Sequence, residues 1–164
     1  MKSLVPHVSK IIYFSDGAPQ QFKNFKNFSN IYHHEVDFGV RAEWHFFATA
    51  HGKGPCDGIG GTLKRLAARA SLQRPTDQQI LDPMDLFNWA NEPGTLPSIT
   101  VKYWDKKNYK IAAEFLTDRY DKTKRIPQTQ RVHCVIPSHT KNYELIVKDY
   151  SFSNDYTEHK IIKL

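Results

Sequence analysis

The sequence KIIYFSDGAP at residues 10–19 decides how the first part of the chain folds. Lys10–Phe14 is mostly β-branched or aromatic, which favours a buried strand, and Ser15–Pro19 is rich in turn-forming residues. Gln20–His34 carries apolar residues at intervals of three and four, which predicts a helix. Arg41–Ala50 is again almost continuously apolar, as buried parallel strands are. This order predicts two parallel strands joined by a right-handed crossover, with the helix packed over them.

A glycine-rich segment with one carboxylate follows the second strand. It is HGKGPCDGIGGTLKR at residues 51–65, and it places five glycines around Asp57. Glycine costs up to about 1 kcal/mol relative to alanine inside a helix, so the segment predicts positive φ angles or close approach of the backbone to another group. From Ile59 to Ala70 the apolar residues share one side of a helix, and basic residues lie elsewhere on it.

The composition predicts a folded intracellular protein with a basic surface. The 164 residues are 40% hydrophobic and 13% aromatic, which is typical of a chain with a core. The net charge is +6, and residues 1–74 hold ten Lys/Arg against five Asp/Glu, a balance compatible with a nucleic-acid partner. Two cysteines are too few for a disulfide framework, and no apolar run approaches the about 20 residues of a membrane span. We therefore expect a nuclear or cytoplasmic protein that does not enter a membrane.

The second half of the chain alternates short helical and extended patterns. The predicted elements are a helix at Pro83–Ala90, a strand at Ile99–Tyr103, a helix marked by Ile111–Leu116, and strands at Arg131–Ile136 and Tyr143–Tyr150. The chain as a whole is thus expected to be an α/β protein, with a βαβα region at residues 1–74 and a mixed α+β extension at residues 75–164 packed on it.

Two carboxylates follow the predicted parallel strands. Asp16 lies just past the first strand, and Asp57 lies at the start of the helix that follows the second. Ligand sites of open α/β sheets lie outside the carboxyl ends of the strands, so we expect both residues at one crevice. Paired carboxylates bind Mg²⁺ or Mn²⁺, and such ions stabilise the attacking and leaving oxygens of a phosphodiester. Asp16 and Asp57 are therefore candidate catalytic and metal-binding residues.

Both acidic segments resemble those of a known superfamily. SDGAPQQFKN at residues 15–24 is similar to the segment of retroviral integrases and cut-and-paste transposases in which the second catalytic aspartate ends a strand. Residues 51–65 resemble their last catalytic segment, where a glycine-containing turn leads an acidic residue into a basic helix. The resemblance covers about residues 10–72 and is closest to transposon-derived open reading frames of animals. It implies an RNase H-like fold and a three-carboxylate (DDE/DDD) metal site for DNA strand cleavage and transfer.

The resemblance extends to only part of such a domain. In the family, the first catalytic aspartate lies on a three-stranded meander that would have to precede Lys10, where this chain has nine residues. We expect the rear half of an RNase H-like domain, with an oligomer or an upstream domain completing the sheet. Metal affinity depends on ligand number and charge, so two carboxylates predict a fragment that is inactive alone. The alternative, from a different class, is a non-catalytic module that binds DNA or a protein.

Each candidate residue also has a structural interpretation. Asp16 lies in an Asp-Gly turn dipeptide, and Asp57 is placed to cap the helix, so both the local role and the ligand role remain open. The residues expected to face nucleic acid are Lys53, Lys64, Arg65 and Arg69. Zinc is a further option on His51, Cys56, His133, Cys134 and His139, none of which has the paired spacing of a zinc motif.

Overall fold

The computed structural model describes residues 7–47 and 54–163, and the chain divides into two compact units. The sheet unit comprises Met1–Gly52 and Glu114–Leu164, and the helical unit comprises Lys53–Ala113. The strands are β1 (Lys10–Ser15), β2 (Arg41–Phe46), β3 (Cys134–Pro137), β4 (Glu144–Lys148) and β5 (Thr157–Lys160). The helices are α1 (Phe25–Phe38), α2 (Pro55–Gln73), α3 (Pro83–Ala90) and α4 (Lys106–Asp121), with 3-10 turns at Thr76–Gln78 and Thr129–Arg131.

The described strands form one mixed sheet in the order β1-β2-β3-β4-β5. β1 and β2 are parallel, in a register that runs from Lys10 opposite Arg41 to Ser15 opposite Phe46, and the remaining neighbours are antiparallel. The predicted parallel pair is therefore confirmed, and so is the α/β fold class.

Helix α1 supplies the apolar layer over one face of this sheet. It begins at Phe25 rather than at Gln20, because the Asn24 side chain accepts hydrogen bonds from the backbone N–H groups of Lys26 and Asn27 and caps the helix there. The buried core of the sheet unit brings residues of α1 together with residues from the strands and from the C-terminal half of the chain, and these are Phe28, Ile31, Ala42, Phe46, Ile126, Val132, Val135, Leu145, Val147 and Ile161.

The helical unit has a small core of its own between α2 and α3. Ala67, Trp89 and Ala90 are buried there. Helix α3 coincides with the prediction, because Asp82 caps it with hydrogen bonds from the backbone N–H groups of Met84 and Asp85, and Pro83 fits its first turn. Across the described residues, no helix combines the length and apolarity needed to cross a membrane.

Several elements differ from the sequence-based expectation. Ile99–Tyr103 is not a strand, because Val101 packs against the small helical core instead of pairing with another strand. The strand expected from Arg131 begins only at Cys134, after a 3-10 turn. The sequence pattern does not predict β5 at all, since TEHK has no alternation of apolar residues.

The two units also differ from the division expected at residues 74 and 75. β2 pairs on its second edge with β3, with Trp44 opposite Val135 and His45 opposite Cys134. This pairing places strands from both halves of the chain in one sheet, and the segment between them forms the helical unit. A domain boundary predicted from local sequence patterns cannot take that long-range pairing into account.

Candidate nucleic-acid interface

Helix α2 carries three exposed basic side chains, of which Arg65 and Arg69 lie on the side away from its own core contacts and Lys64 lies at the flank, beside Leu63. Leu63, Ala67 and Ala70 pack toward the small core of the helical unit. Successive helix residues turn by about 100°, which directs Arg65 and Arg69, one turn apart, away from that apolar side. Lys64, Arg65 and Arg69 are all exposed, and together they are called the basic face of α2 below.

The positive charge of this face is not compensated nearby in sequence. Asp57, in the first turn, is the one acidic residue of α2. Among the residues that the structure describes, none of the three basic side chains forms an ion pair, and Arg65 makes only a 3.3 Å hydrogen bond from Nη2 to Oγ1 of Thr62. Exposed basic side chains without an ion pair can contact a DNA phosphate directly, and the contact releases counterions.

The glycines of α2 leave part of the helix surface without side chains. Gly58, Gly60 and Gly61 lie within the helix, and a Cβ built at each would meet no described atom within 4 Å. Positive φ angles occur among the described glycines at Gly39 and Gly94, so the predicted positive φ is wrong for the three glycines of α2. Gly58 and Gly61 precede Arg65 by seven and four residues and therefore share its side of the helix. Close approach of another molecule's backbone to this side stays a prediction.

The Asp57 carboxylate caps the helix that carries the basic face. Its Oδ2 accepts a hydrogen bond of 3.0 Å from the backbone N–H of Gly54, and the residue is exposed. A carboxylate in this position satisfies one of the unpaired N-terminal N–H groups and interacts favourably with the helix dipole. Lys53, which is expected to face nucleic acid, and His51, one of the optional zinc ligands, fall outside the described residues.

Asp16 has a comparable local role at the end of β1. Its Oδ1 accepts a 2.9 Å hydrogen bond from the backbone N–H of Ala18, which forms an Asx turn where the strand ends. Ser15, next to it, accepts a 2.9 Å hydrogen bond from the indole N–H of Trp44 and thereby ties the end of β1 to β2. Asp16 itself is exposed, as the predicted turn requires.

The predicted Mg²⁺ or Mn²⁺ site needs both carboxylates. Asp16 belongs to the sheet unit and Asp57 to the helical unit, and each has one oxygen bonded to a backbone N–H. Such ions require several oxygen ligands. Within its own unit, each of these two carboxylates offers one oxygen that is not bonded to a backbone N–H. The joint metal site stays a prediction, and no reaction step is derived from it.

The described structure does bring together three other potential metal ligands. Ligand atoms of Glu43, His45 and Cys134 lie within 4.8 Å of one another. Cys134 is among the residues that the sequence offers as an optional zinc ligand, whereas sequence reasoning missed Glu43 and His45. They escape a motif search because 89 residues separate His45 from Cys134, and only the register of β2 and β3 joins them.

The two cysteines differ in their surroundings. Cys56 is exposed in the first turn of α2, and Cys134 is buried in β3. Burial, and after it the negative charge of Glu43, raise the pKa of the Cys134 thiol to about 11, against a smaller opposing effect of Lys148. In the absence of a metal, Cys134 is therefore a neutral, unreactive thiol at physiological pH.

Comparison with known proteins identifies the family of this chain but not its activity. Residues 1–151 match the family described as Domain of unknown function (DUF8701), and the chain belongs to that family. No curated protein and no solved structure shows a significant match to the chain.

Proposed function

We propose that this protein is a transposon-derived, RNase H-like protein that binds DNA through the basic face of α2 and does not cleave DNA alone. The observation that carries the DNA-binding role is the exposure of Lys64, Arg65 and Arg69 on one helix without a paired carboxylate. Lysine and arginine side chains supply most contacts to phosphates, and these contacts position a protein on DNA without reading its sequence. The role predicts a nuclear location.

The RNase H-like ancestry is supported by the order and direction of the first elements. β1, α1 and β2 form a strand-helix-strand unit with parallel strands, and Asp16 follows directly after β1. The resemblance of residues 15–24 and 51–65 to integrase and transposase segments requires this arrangement. Because the same fold serves unrelated functions, ancestry by itself does not establish an activity.

The expected lack of cleavage rests on what the carboxylates already do. Asp16 closes a turn and Asp57 caps a helix, so each residue has a structural use that needs no metal. Phosphodiester cleavage by metal ions needs several carboxylates that fix two ions. We therefore propose that a further segment or a second chain would be needed to complete such a site.

Fluorescence anisotropy with a labelled DNA duplex tests the DNA-binding role. We compare the wild type with the variant Lys64→Gln/Arg65→Gln/Arg69→Gln, in which glutamine preserves helix propensity. Its matched control is Lys102→Gln/Lys106→Gln/Lys107→Gln, which removes the same charge from exposed positions outside α2. We expect the first variant to bind at least about tenfold more weakly, and the control to bind like the wild type.

Three results would contradict this role. Equal losses in the two variants would mean that net charge, and not the basic face of α2, governs binding. A strong preference for one of two unrelated duplexes would mean that base contacts dominate. No binding at low salt would leave the alternative of a protein-interaction module.

Catalysis is the second candidate function, and the position of Asp16 favours it. Ligand sites of α/β sheets lie at the carboxyl ends of parallel strands, where Asp16 lies. The test is nicking of supercoiled plasmid by the purified chain with Mg²⁺ or Mn²⁺, compared with Asp16→Asn and Asp57→Asn. We expect no metal-dependent nicking above that of the two variants. Nicking that both substitutions abolish would establish the enzyme.

A further inference from the structure

Three ligand-type side chains lie on neighbouring strands of the sheet, on the face opposite the α1 core. Side chains alternate along a strand, so Glu43 and His45 share one face of β2, while Ala42 and Phe46 are buried in the core on the other. Cys134 of β3 pairs directly with His45 across the antiparallel ladder. The register of the two strands, rather than a flexible loop, therefore sets the spacing of these side chains.

Their ligand atoms have the separations of a metal site. His45 Nε2 lies 3.4 Å from Glu43 Oε2 and 3.8 Å from Cys134 Sγ. Ligands at about 2.0 to 2.3 Å from a tetrahedral zinc ion are about 3.3 to 3.7 Å apart. All three ligand atoms lie within 4.8 Å of one another. A cation could thus bind all three with side-chain shifts of up to about 1 Å and no change of strand register.

The surroundings hold the three ligands in place. Cys134 is completely buried, and the side chains of Glu43 and His45 are each 13% exposed. Phe14 stacks on the His45 ring with the ring centroids 5.2 Å apart. Lys10 binds the other carboxylate oxygen, Oε1 of Glu43, which leaves Oε2 directed at His45. The Lys10 contact is of the kind that orients ligating carboxylates in known sites, whereas Nδ1 of His45 is buried without a hydrogen-bond partner among the described residues.

The two lysines beside the cluster, Lys10 and Lys148, each have a hydrogen-bond partner among the described residues. Lys148 lies opposite Cys134 in the β3–β4 pairing, and its Nζ donates a 2.8 Å hydrogen bond to the backbone carbonyl of Ser153. Lys10 is paired with Glu43. Lys148 is thus held by an acceptor outside the cluster, and Lys10 by Oε1 of Glu43, which leaves Oε2 of Glu43 directed at His45.

We propose that Glu43, His45 and Cys134 form a Zn²⁺ site that joins β2 to β3. A thiolate, an imidazole and a carboxylate are the ligand set of zinc and of its spectroscopic substitute Co²⁺, whereas Mg²⁺ and Ca²⁺ select oxygen ligands. Three protein ligands leave a fourth position for water. The site lies within the sheet unit and does not depend on DNA binding.

Titration of the metal-free full-length chain with Co²⁺ tests the site. We expect one Co²⁺ per chain, with tetrahedral d–d absorption and a thiolate-to-cobalt charge-transfer band that Zn²⁺ removes by displacement. The exposed Cys56 provides the matched control. Cys56→Ser should retain both signals, whereas Cys134→Ser should lose the charge-transfer band.

Because Cys134 is buried, a second readout is needed if Cys134→Ser fails to fold. His45→Gln and Glu43→Gln change partly exposed side chains, so both should keep the wild-type circular dichroism spectrum and lose tight Co²⁺ binding. Zn²⁺ should raise the Tm of the wild type by about 5 °C and leave that of His45→Gln unchanged. The proposal is overturned if the wild type shows no charge-transfer band, or if Cys56→Ser rather than Cys134→Ser removes it.

Discussion

Asp57 is the residue at which the capping role and the metal-ligand role predict different results. Asp57→Ala removes the acceptor of the Gly54 N–H and the charge at the start of α2, so it should lower the free energy of unfolding by about 1 kcal/mol. Asp57→Asn keeps an acceptor oxygen and should cost less. Urea denaturation measures both, with Asp77→Ala, an exposed acidic residue of a 3-10 turn, as the control. Unchanged stability of Asp57→Ala would exclude the cap.

Glu43 predicts a dependence of stability on acid pH. Burial by itself would raise the pKa of Glu43, but hydrogen bonds and charge from Lys10 and His45 outweigh it and hold the pKa below its ordinary value of 4.5. Because the folded-state pKa is the lower one, this carboxylate contributes stability above pH 4.5 that is lost as the pH falls through the folded-state value. In the presence of a chelator, the stability difference between the wild type and Glu43→Gln should therefore shrink below pH 4.5. A pH-independent difference in urea denaturation would contradict this account.

Single residues were predictable from sequence only where their role is local. The turn role of Asp16 and the cap role of Asp57 were each open in the sequence, since the bonded N–H groups lie within three residues. Glu43 and His45 could not be recognised as neighbours of Cys134, because that proximity requires the pairing of β2 with β3. Local hydrogen bonds leave a signal in sequence, and cross-strand contacts leave little.

At the scale of elements, two glycine substitutions should change stability in opposite directions. Gly39 ends α1 with φ of 64°, and its N–H donates to the Glu35 carbonyl. Gly39→Ala should therefore destabilise the protein by about 1 kcal/mol or more. Gly61 lies inside α2 with open space around it, so Gly61→Ala should stabilise by up to about 1 kcal/mol.

The test is whether the two substitutions change the free energy of unfolding in opposite directions. Urea denaturation of both variants alongside the wild type measures them under the same conditions. A destabilised Gly61→Ala would mean that α2 is not helical at this position, and an unchanged Gly39→Ala would mean that α1 does not end in a left-handed residue.

Helices and strands were predictable where capping or a buried run was strong. Asp82 and Pro83 fixed the start of α3, and the β-branched and aromatic run at residues 10–14 fixed β1. Ile99–Tyr103 alternates like a strand but has no strand partner, and its Val101 packs on the helical core. Alternation therefore predicts a strand only when a neighbouring strand is present to complete it.

At the scale of the whole molecule, the sheet joins both halves of the chain. Leu145 of β4 is completely buried in the core that also contains Ala42 and Phe46 of β2. Leu145→Ala should lower the free energy of unfolding by about 2 to 5 kcal/mol, while the control Val36→Ala, which is 84% exposed in α1, should change it by less than about 0.5 kcal/mol.

Hydrogen exchange of the Leu145→Ala variant separates one cooperative sheet from two independent regions. If β1 and β2 unfold together with β4, their amide groups should lose protection to the same extent as those of β4. Protection of β1 and β2 that stays at the wild-type level would instead support an independent unit at residues 1–74.

The fold class could be predicted because the parallel pair lies within one short stretch of sequence. The sheet order could not, since nothing near β2 indicates that residues 134–137 pair with it. The basic face of α2 was predictable for a physical reason: a helix with apolar residues on one side must expose the others.

The number of phosphate contacts made by the basic face of α2 can be measured from the salt dependence of DNA binding. Each phosphate contact by lysine or arginine adds about one unit to the slope of log Kd against log salt concentration, so the variant lacking Lys64, Arg65 and Arg69 should show a slope smaller by about three. The control variant lacking Lys102, Lys106 and Lys107 should keep the wild-type slope. Identical slopes for the wild type and both variants would contradict the assignment of DNA binding to the basic face of α2.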